Sequence, residues 1–339
     1  MELTLGIESK NEDTIVLEFE PPNSGLSSLR KLQKRTQRKS KKLESPSSTN
    51  LIKHSYHLEL KQKLCSLNSS RDNNNSTTGY VLWQTTPFFI DWLLYHTDSN
   101  TQEQNFNLRA FVFSSNVIEL GSGVSCVSTV ILCNYLSNSN YYVVTDQKGI
   151  LSTLKENIIT NKHEIIHNAK QLKSVTMNWS KPLKESFASN NEEYSLPEEF
   201  FHIEVEPLDW EYVFSQKLPC FVEKALGDTY SRNCTILAMD VIYNDFLIKP
   251  FLNTLDTLFK KWESENDSSR LTKNDTQCEI KCEKKGIKAI MGLQLRAQDV
   301  VQDFLLEAVL EYEFNVQVLH SDYLNSSRFC FYVISPSTQ

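Results

Sequence analysis

Acidic residues close four apolar runs: Glu119 within Val117-Ile118-Glu119-Leu120, Asp146 after Tyr141-Tyr142-Val143-Val144-Thr145, Asp209 after Leu208, and Asp240 after Thr235-Ile236-Leu237-Ala238-Met239. Packing explains such acids poorly, because ligands of an open α/β sheet sit beyond the carboxyl ends of its strands. Glu119 opens Glu119-Leu120-Gly121-Ser122-Gly123, and Asp240 opens Asp240-Val241-Ile242-Tyr243. Gly121 and Gly123 let the backbone turn sharply and lie close to a ligand, and Asp146 is placed to take both hydroxyls of a ribose. These are nucleoside-binding features. A dinucleotide fingerprint is incomplete, since Cys126 stands where the third glycine belongs, and no G-x-x-x-x-G-K phosphate loop occurs. An acid at Glu119 would repel a pyrophosphate and suits a cationic ligand such as S-adenosyl-L-methionine, whose sulfonium and ammonium groups favour carboxylate partners.

The elements that must position these residues alternate in type. Tyr56, Leu58 and Leu60 have strand spacing, and residues 80–95 form an apolar aromatic segment. Strands are predicted at 117–120, 141–146, 203–208, 235–239, 288–295, 316–318 and 329–334, with helices at 124–136, 150–160, 248–262 and 300–312 between them. This β-α alternation calls for a mostly parallel sheet with crossover helices. The last two strands are joined by only a short turn at 321–326, which forces an antiparallel pair.

Composition narrows the classes. Nine glycines occur in 339 residues, where ordinary usage would give roughly 24, so the Gly121/Gly123 pair stands out. Eight scattered cysteines, including Cys278 and Cys282 with no second pair or nearby histidine, read as reduced thiols rather than a disulfide or zinc framework. No run of about 18 apolar residues could span a bilayer. The amino terminus lacks the apolar run of a secretory signal. The expected location is intracellular and cytoplasmic, with the nucleus as a second compartment. The net charge of −7 hides a basic stretch at 30–42, Arg30 through Lys42, without an acid; it reads as a disordered arm, either a solvated linker, an import signal or a contact for ribosomal RNA. Residues 1–50 are expected to form an extension carrying this arm, and 51–339 one domain with flexible insertions near 181–199 and 263–285.

The order E-L-G-x-G, a strand ending in Asp146, Leu208-Asp209-Trp210 and Asp240-Val241-Ile242-Tyr243 resembles the seven-β-strand protein-lysine methyltransferases with a D-x-x-Y motif. Gly79-Tyr80-Val81-Leu82-Trp83, Thr145-Asp146-Gln147-Lys148-Gly149, Ser70-Arg71-Asp72-Asn73 and Ser327-Arg328-Phe329 are similar to the fungal ribosomal lysine N-methyltransferase 5 family. The resemblance implies a Rossmann-like class I methyltransferase sheet, mostly parallel with one antiparallel strand, and S-adenosyl-L-methionine as cofactor. It places Trp83 near the methionine end, Glu119, Gly121 and Gly123 along methionine and ribose, and Asp146 on the ribose. Asp209 and Trp210 would lie beside the adenine, with Met239 lining the same pocket. Asp240 and Tyr243 would be the catalytic pair at the mouth where a lysine enters. The implied acceptor is a lysine, monomethylated, of a 60S ribosomal protein of the exit-side stalk, modified by a monomeric enzyme.

Two other readings compete. His163-Glu164-Ile165-Ile166-His167 meets the H-E-x-x-H spacing of zinc proteases, but no third ligand is framed, and no metal is expected. A methyltransferase fold used only to bind ribosomal RNA or protein is the non-catalytic alternative.

Overall fold

The computed structural model describes residues 12–22, 54–63, 78–97, 106–136, 139–165, 175–177, 201–227, 233–271, 285–296 and 298–337. The basic arm 30–42, Ser70 to Asn73, Cys65, His167, Cys278, Cys282 and the insertion 181–199 lie outside them.

The main sheet contains β3 (Ser115–Leu120), β4 (Tyr141–Asp146), β5 (Val175–Met177), β6 (Phe201–Pro207), β7 (Asn233–Met239), β8 (Ile287–Gln294), β9 (Asn315–Val318) and β10 (Phe329–Ser335), in the order β5-β6-β4-β3-β7-β8-β10-β9. Strands β5 to β8 pair in parallel, and β10 runs antiparallel to both β8 and β9. The expected seven strands with one reversed member are present, and the three-residue β5 adds an edge strand that its length concealed.

Alternation along each strand feeds two cores. Val117, Tyr142, Val144 and Leu237 face one of them, where α1 (Thr85–Asp91), α3 (Val127–Leu132) and α4 (Leu151–Thr160) pack. Ile118, Leu120, Val143 and Ile236 face the other, covered by α6 (Cys220–Gly227), α7 (Ile248–Leu271) and α8 (Gln298–Leu310). The short helices α2 (Leu108–Phe113), α5 (Lys162–Ile165) and α9 (Asp322–Asn325) complete the set. Helix α7 runs nine residues into the stretch expected to be an insertion from 263, so that boundary moves to 272 at the earliest. No helix among the described residues is long and apolar enough to cross a membrane.

The expected boundary at residue 50 is corrected. Strand β1 (Thr14–Phe19) pairs antiparallel with β2 (Tyr56–Lys61), and Ile15, Leu17 and Phe19 join Tyr56, Leu58 and Leu60 in the first core. The period-2 pattern of Thr-Ile-Val-Leu-Glu-Phe carries this strand, so the domain includes residues on both sides of the basic arm.

Two asparagines one turn apart on α4 fasten this hairpin to the body. Asn157 accepts from Lys61 N at 2.8 Å and donates to Lys61 O at 2.9 Å and Val124 O at 2.8 Å. Asn161, the C-cap of α4, accepts from Glu59 N at 2.9 Å and donates to Glu59 O at 2.7 Å. Residues i and i+4 of a helix share a face, as i and i+2 of a strand do, so the amides act as a substitute strand along the β2 edge. Both asparagines are 1% exposed, and removing one strands buried backbone groups. Asn157→Ala is therefore expected to destabilise the protein by about 2–4 kcal/mol, read from urea unfolding.

Candidate functional site

Strands β3 and β7 leave the centre of the sheet for opposite flanks, and a crevice opens where the strand order reverses. A cleft occupies this point, lined by Trp83, Gly121, Gly123, Asp146, Asp209, Trp210, Met239, Asp240 and Tyr243. These nine expected residues are thus brought together; Glu119 is not among the lining residues.

The turn after β3 is built on bare backbone. Gly121 and Gly123 adopt φ of +63° and +61°, a region that L side chains enter at a cost. A Cβ at Gly121 would meet Val241 at 2.9 Å and the Trp210 ring at 3.1 Å, and one at Gly123 would lie 2.8 Å from the Gly79 carbonyl. That carbonyl accepts from Val124 N at 2.9 Å, which fixes the 79–83 segment against the turn. The Gly123 amide donates to Asp146 Oδ2 at 2.7 Å, and the Gln147 amide to Oδ1 at 2.6 Å. Burial pushes the Asp146 carboxyl up to about 6, against the pull of those two amides. Each carboxylate oxygen keeps a further lone-pair site, so a fixed acceptor for a diol faces the cleft.

Trp210 follows Asp209, whose side chain accepts from Glu211 N at 3.1 Å and caps the 3₁₀ turn Trp210–Tyr212. The Trp210 ring lies against Gly121 and edge-on to Phe251, with centroids 5.4 Å apart, giving the cleft a flat apolar wall. Met239 reaches the cleft across Gly292, where an added Cβ would sit 2.7 Å from its sulfur and 2.6 Å from Phe331. Gly79 opens the Gly79-Tyr80-Val81-Leu82-Trp83 motif, whereas Gly292 belongs to none, and its only signal is the rarity of glycine in this chain.

Glu119 departs from the expected position. The pleat that sends Val117 toward α3 sends Glu119 the same way, and its carboxylate accepts from Ser128 Oγ at 2.6 Å, Tyr142 Oη at 2.8 Å and Thr129 Oγ1 at 3.5 Å. It is a buried polar knot between sheet and helix. Burial raises its carboxyl to about 7, opposed by the three hydroxyls.

Asp240 lines the cleft as expected, and its carboxylate is held from behind. It is the first residue past β7, with φ +59° in a non-glycine residue, and it is buried, forming an ion pair with Arg296. Burial raises its carboxyl above the ordinary value, and the Arg296 guanidinium opposes the rise. Tyr243 is half-exposed at the cleft lip, where its hydroxyl accepts from Thr78 Oγ1 at 3.0 Å. Arg296 follows β8 and belongs to no motif, so the sequence carries no signal for it.

His163 and Glu164 lie on α5, with His163 exposed and 3.6 Å from the Glu164 carboxylate. Among the described residues no group of three His, Cys, Asp or Glu side chains could hold a metal ion.

A family model described as lysine methyltransferase matches residues 61–197. Ribosomal lysine N-methyltransferase 5 of Saccharomyces cerevisiae strain RM11-1a is 36% identical over 359 residues, covering 98% of this chain and 91% of the relative. The protein of the same name from strain S288c has the same identity and coverage. Among solved structures, a human methyltransferase 10 domain containing protein superimposes loosely, with a TM-score of 0.31 at 9% identity over 74% of this chain and 82% of that one.

Two measurements check this geometry. Gly123→Ala adds a side chain where both φ and the Gly79 carbonyl forbid it; nucleoside ligands are expected to bind at least tenfold more weakly, or the fold to lose about 2 kcal/mol or more. Glu119 has a folded pKa above its ordinary 4.5, so the folded chain keeps a proton that the unfolded chain releases. Its contribution favours folding at low pH and is lost as pH rises through about 7. Glu119→Gln is expected to flatten this decline by up to about 3 kcal/mol, measured by denaturation between about pH 5 and 8.

Proposed function

The chain belongs to the ribosomal lysine N-methyltransferase 5 family of lysine methyltransferases, and from that membership we propose that it transfers a methyl group from S-adenosyl-L-methionine to a lysine of a ribosomal protein. The observation that carries the cofactor assignment is Asp146, a buried carboxylate pinned by two backbone amides beside a side-chain-free turn. That acceptor suits a ribose diol, and the Trp210 wall, with Asp209 at its edge, suits an adenine. The methionine end then follows the Gly121 to Gly123 backbone toward Trp83 and Met239. Glu119 supports this turn from beneath instead of touching the ligand.

When bound, S-adenosyl-L-methionine supplies a methyl group already activated for displacement. The chain's contribution is alignment, which alone is worth several orders of magnitude when reacting atoms are held in line. The acceptor amine must arrive neutral, although its ordinary pKa is about 10.4; desolvation against the Trp83 and Met239 side of the cleft disfavours the charged form, against the pull of the carboxylates that also line it. Tyr243 stands at the lip, where its hydroxyl can meet the incoming amine, with Asp240 shaping the mouth behind it.

The relatives' name points to a ribosomal acceptor, and the family resemblance extends this to monomethylation of a 60S exit-side stalk protein. A chain with net charge −7 is suited to meet a basic ribosomal protein. We place the basic arm 30–42 against ribosomal RNA, the enzyme acting as a monomer in the cytoplasm.

Calorimetry with S-adenosyl-L-methionine, followed by labelled-methyl transfer into ribosomal proteins from a strain lacking this gene, tests the proposal. Saturable binding and a single labelled large-subunit protein are expected, with Asp146→Asn weakening binding roughly ten- to hundredfold. Binding without transfer would favour a non-catalytic module, and an absence of binding would defeat both readings.

A further inference from the structure

Resting on the proposed methyl transfer, we propose that Asp240 does not meet the acceptor lysine: it anchors Arg296, and Arg296 is a positioning residue that holds the Trp83 wall and the Tyr243 lip. The Asp240 side chain is 1% exposed. Its Oδ1 accepts from Gln294 N at 3.3 Å and its Oδ2 from Arg296 Nη2, so both oxygens are engaged by the end of β8. The positive φ at Asp240 and the 2.7 Å bond from its amide to Gly292 O fix the backbone as well. A carboxylate held in this way is a bracket, with little freedom to follow an incoming ammonium.

Arg296 carries the restraint onward. Its guanidinium carbon lies 4.7 Å from the Trp83 ring centroid, within the range where a cation is attracted to an indole face. The Trp83 Nε1 donates to Thr78 O at 3.0 Å, and Thr78 Oγ1 donates to the Tyr243 hydroxyl. Tyr243 is three residues from Asp240, so the circuit Asp240, Arg296, Trp83, Thr78, Tyr243 closes on itself around the cleft mouth. Two cleft-lining aromatic residues, Trp83 and Tyr243, are thereby held through one ion pair. A planar guanidinium can serve the carboxylate with its fork and the indole with its face at once; a lysine ammonium cannot.

The direct role and the positioning role predict different patterns in Asp240→Asn, Arg296→Met and the double variant. Arg296→Met leaves a buried carboxylate without its counter-charge, and the unfolding constant of the ligand-free protein is expected to rise at least about a hundredfold. Adding Asp240→Asn to it is expected to return at least about tenfold of that loss, because the stranded charge is removed. In transfer into ribosomal proteins, all three variants are expected to show lowered kcat and raised cofactor KM, with any change in acceptor KM the same in Arg296→Met as in Asp240→Asn. Arg296→Lys is expected to recover the stability and only part of kcat. If Asp240→Asn raises the acceptor KM while Arg296→Met leaves kcat intact, or if the two substitutions add in stability, the inference fails. Should the wild-type protein transfer no methyl group, the proposed function fails; the ligand-free stability cycle still tests the Asp240–Arg296 pair on which the inference stands, and additivity there overturns it.

Discussion

The cleft depends on one hydrogen bond, from the Gly123 amide to the buried carboxylate of Asp146, made at a turn with no room for a side chain. The bond joins the turn after β3 to the end of β4, beside the crevice that opens between β3 and β7. The Gly79 carbonyl fills the space a Cβ would take, and the Trp210 ring occupies the corresponding space at Gly121. Any residue but glycine would therefore displace a backbone carbonyl or a cleft wall, beyond the intrinsic strain of its φ. Holding an acid in this environment is unfavourable by desolvation, which wins over the two amides and leaves the carboxyl raised to about 6. The balance persists because the surrounding sheet supplies the rigidity.

The acids that end the strands share a residue type and diverge in fate, and the pleat and neighbouring elements decide which fate each takes. Glu119 falls on the α3 side and becomes a hydroxyl-bound knot. Asp146 faces the crevice, Asp209 caps a short turn at its edge, and Asp240 is drawn into an ion pair with Arg296. The buried acids among them, Glu119, Asp146 and Asp240, are each answered locally, as the high cost of an unpaired one requires. The same rule governs the Asn157 and Asn161 ladder, through which the amino-terminal hairpin is tied to the body.

Alternation and apolar runs made most of the sheet legible in the sequence, and the glycine pair with the strand-end acids located the crevice. What escaped had weak or distant signals. Strand β1 has the period-2 pattern, but it is separated from its partner by the basic arm, and only pairing with β2 gives that pattern a meaning. The continuation of α7 past Trp262 was masked by a polar composition that suits a solvent-facing helix as well as a loop. Arg296 and Gly292 reach the cleft only through neighbours distant in the chain, Asp240 and Met239, and spacing along the chain cannot register that. The direction in which Glu119 points was also open, because one step of pleat separates a ligand-facing acid from a core acid.

The central claim is that this cleft holds the nucleoside of S-adenosyl-L-methionine on Asp146 and beside Trp210. The most direct measurement is a crystal structure of the protein grown with S-adenosyl-L-homocysteine. The account predicts both ribose hydroxyls within hydrogen-bond distance of the Asp146 carboxylate and the adenine against the Trp210 ring. A ligand seated elsewhere, or a ribose that does not touch Asp146, would contradict it.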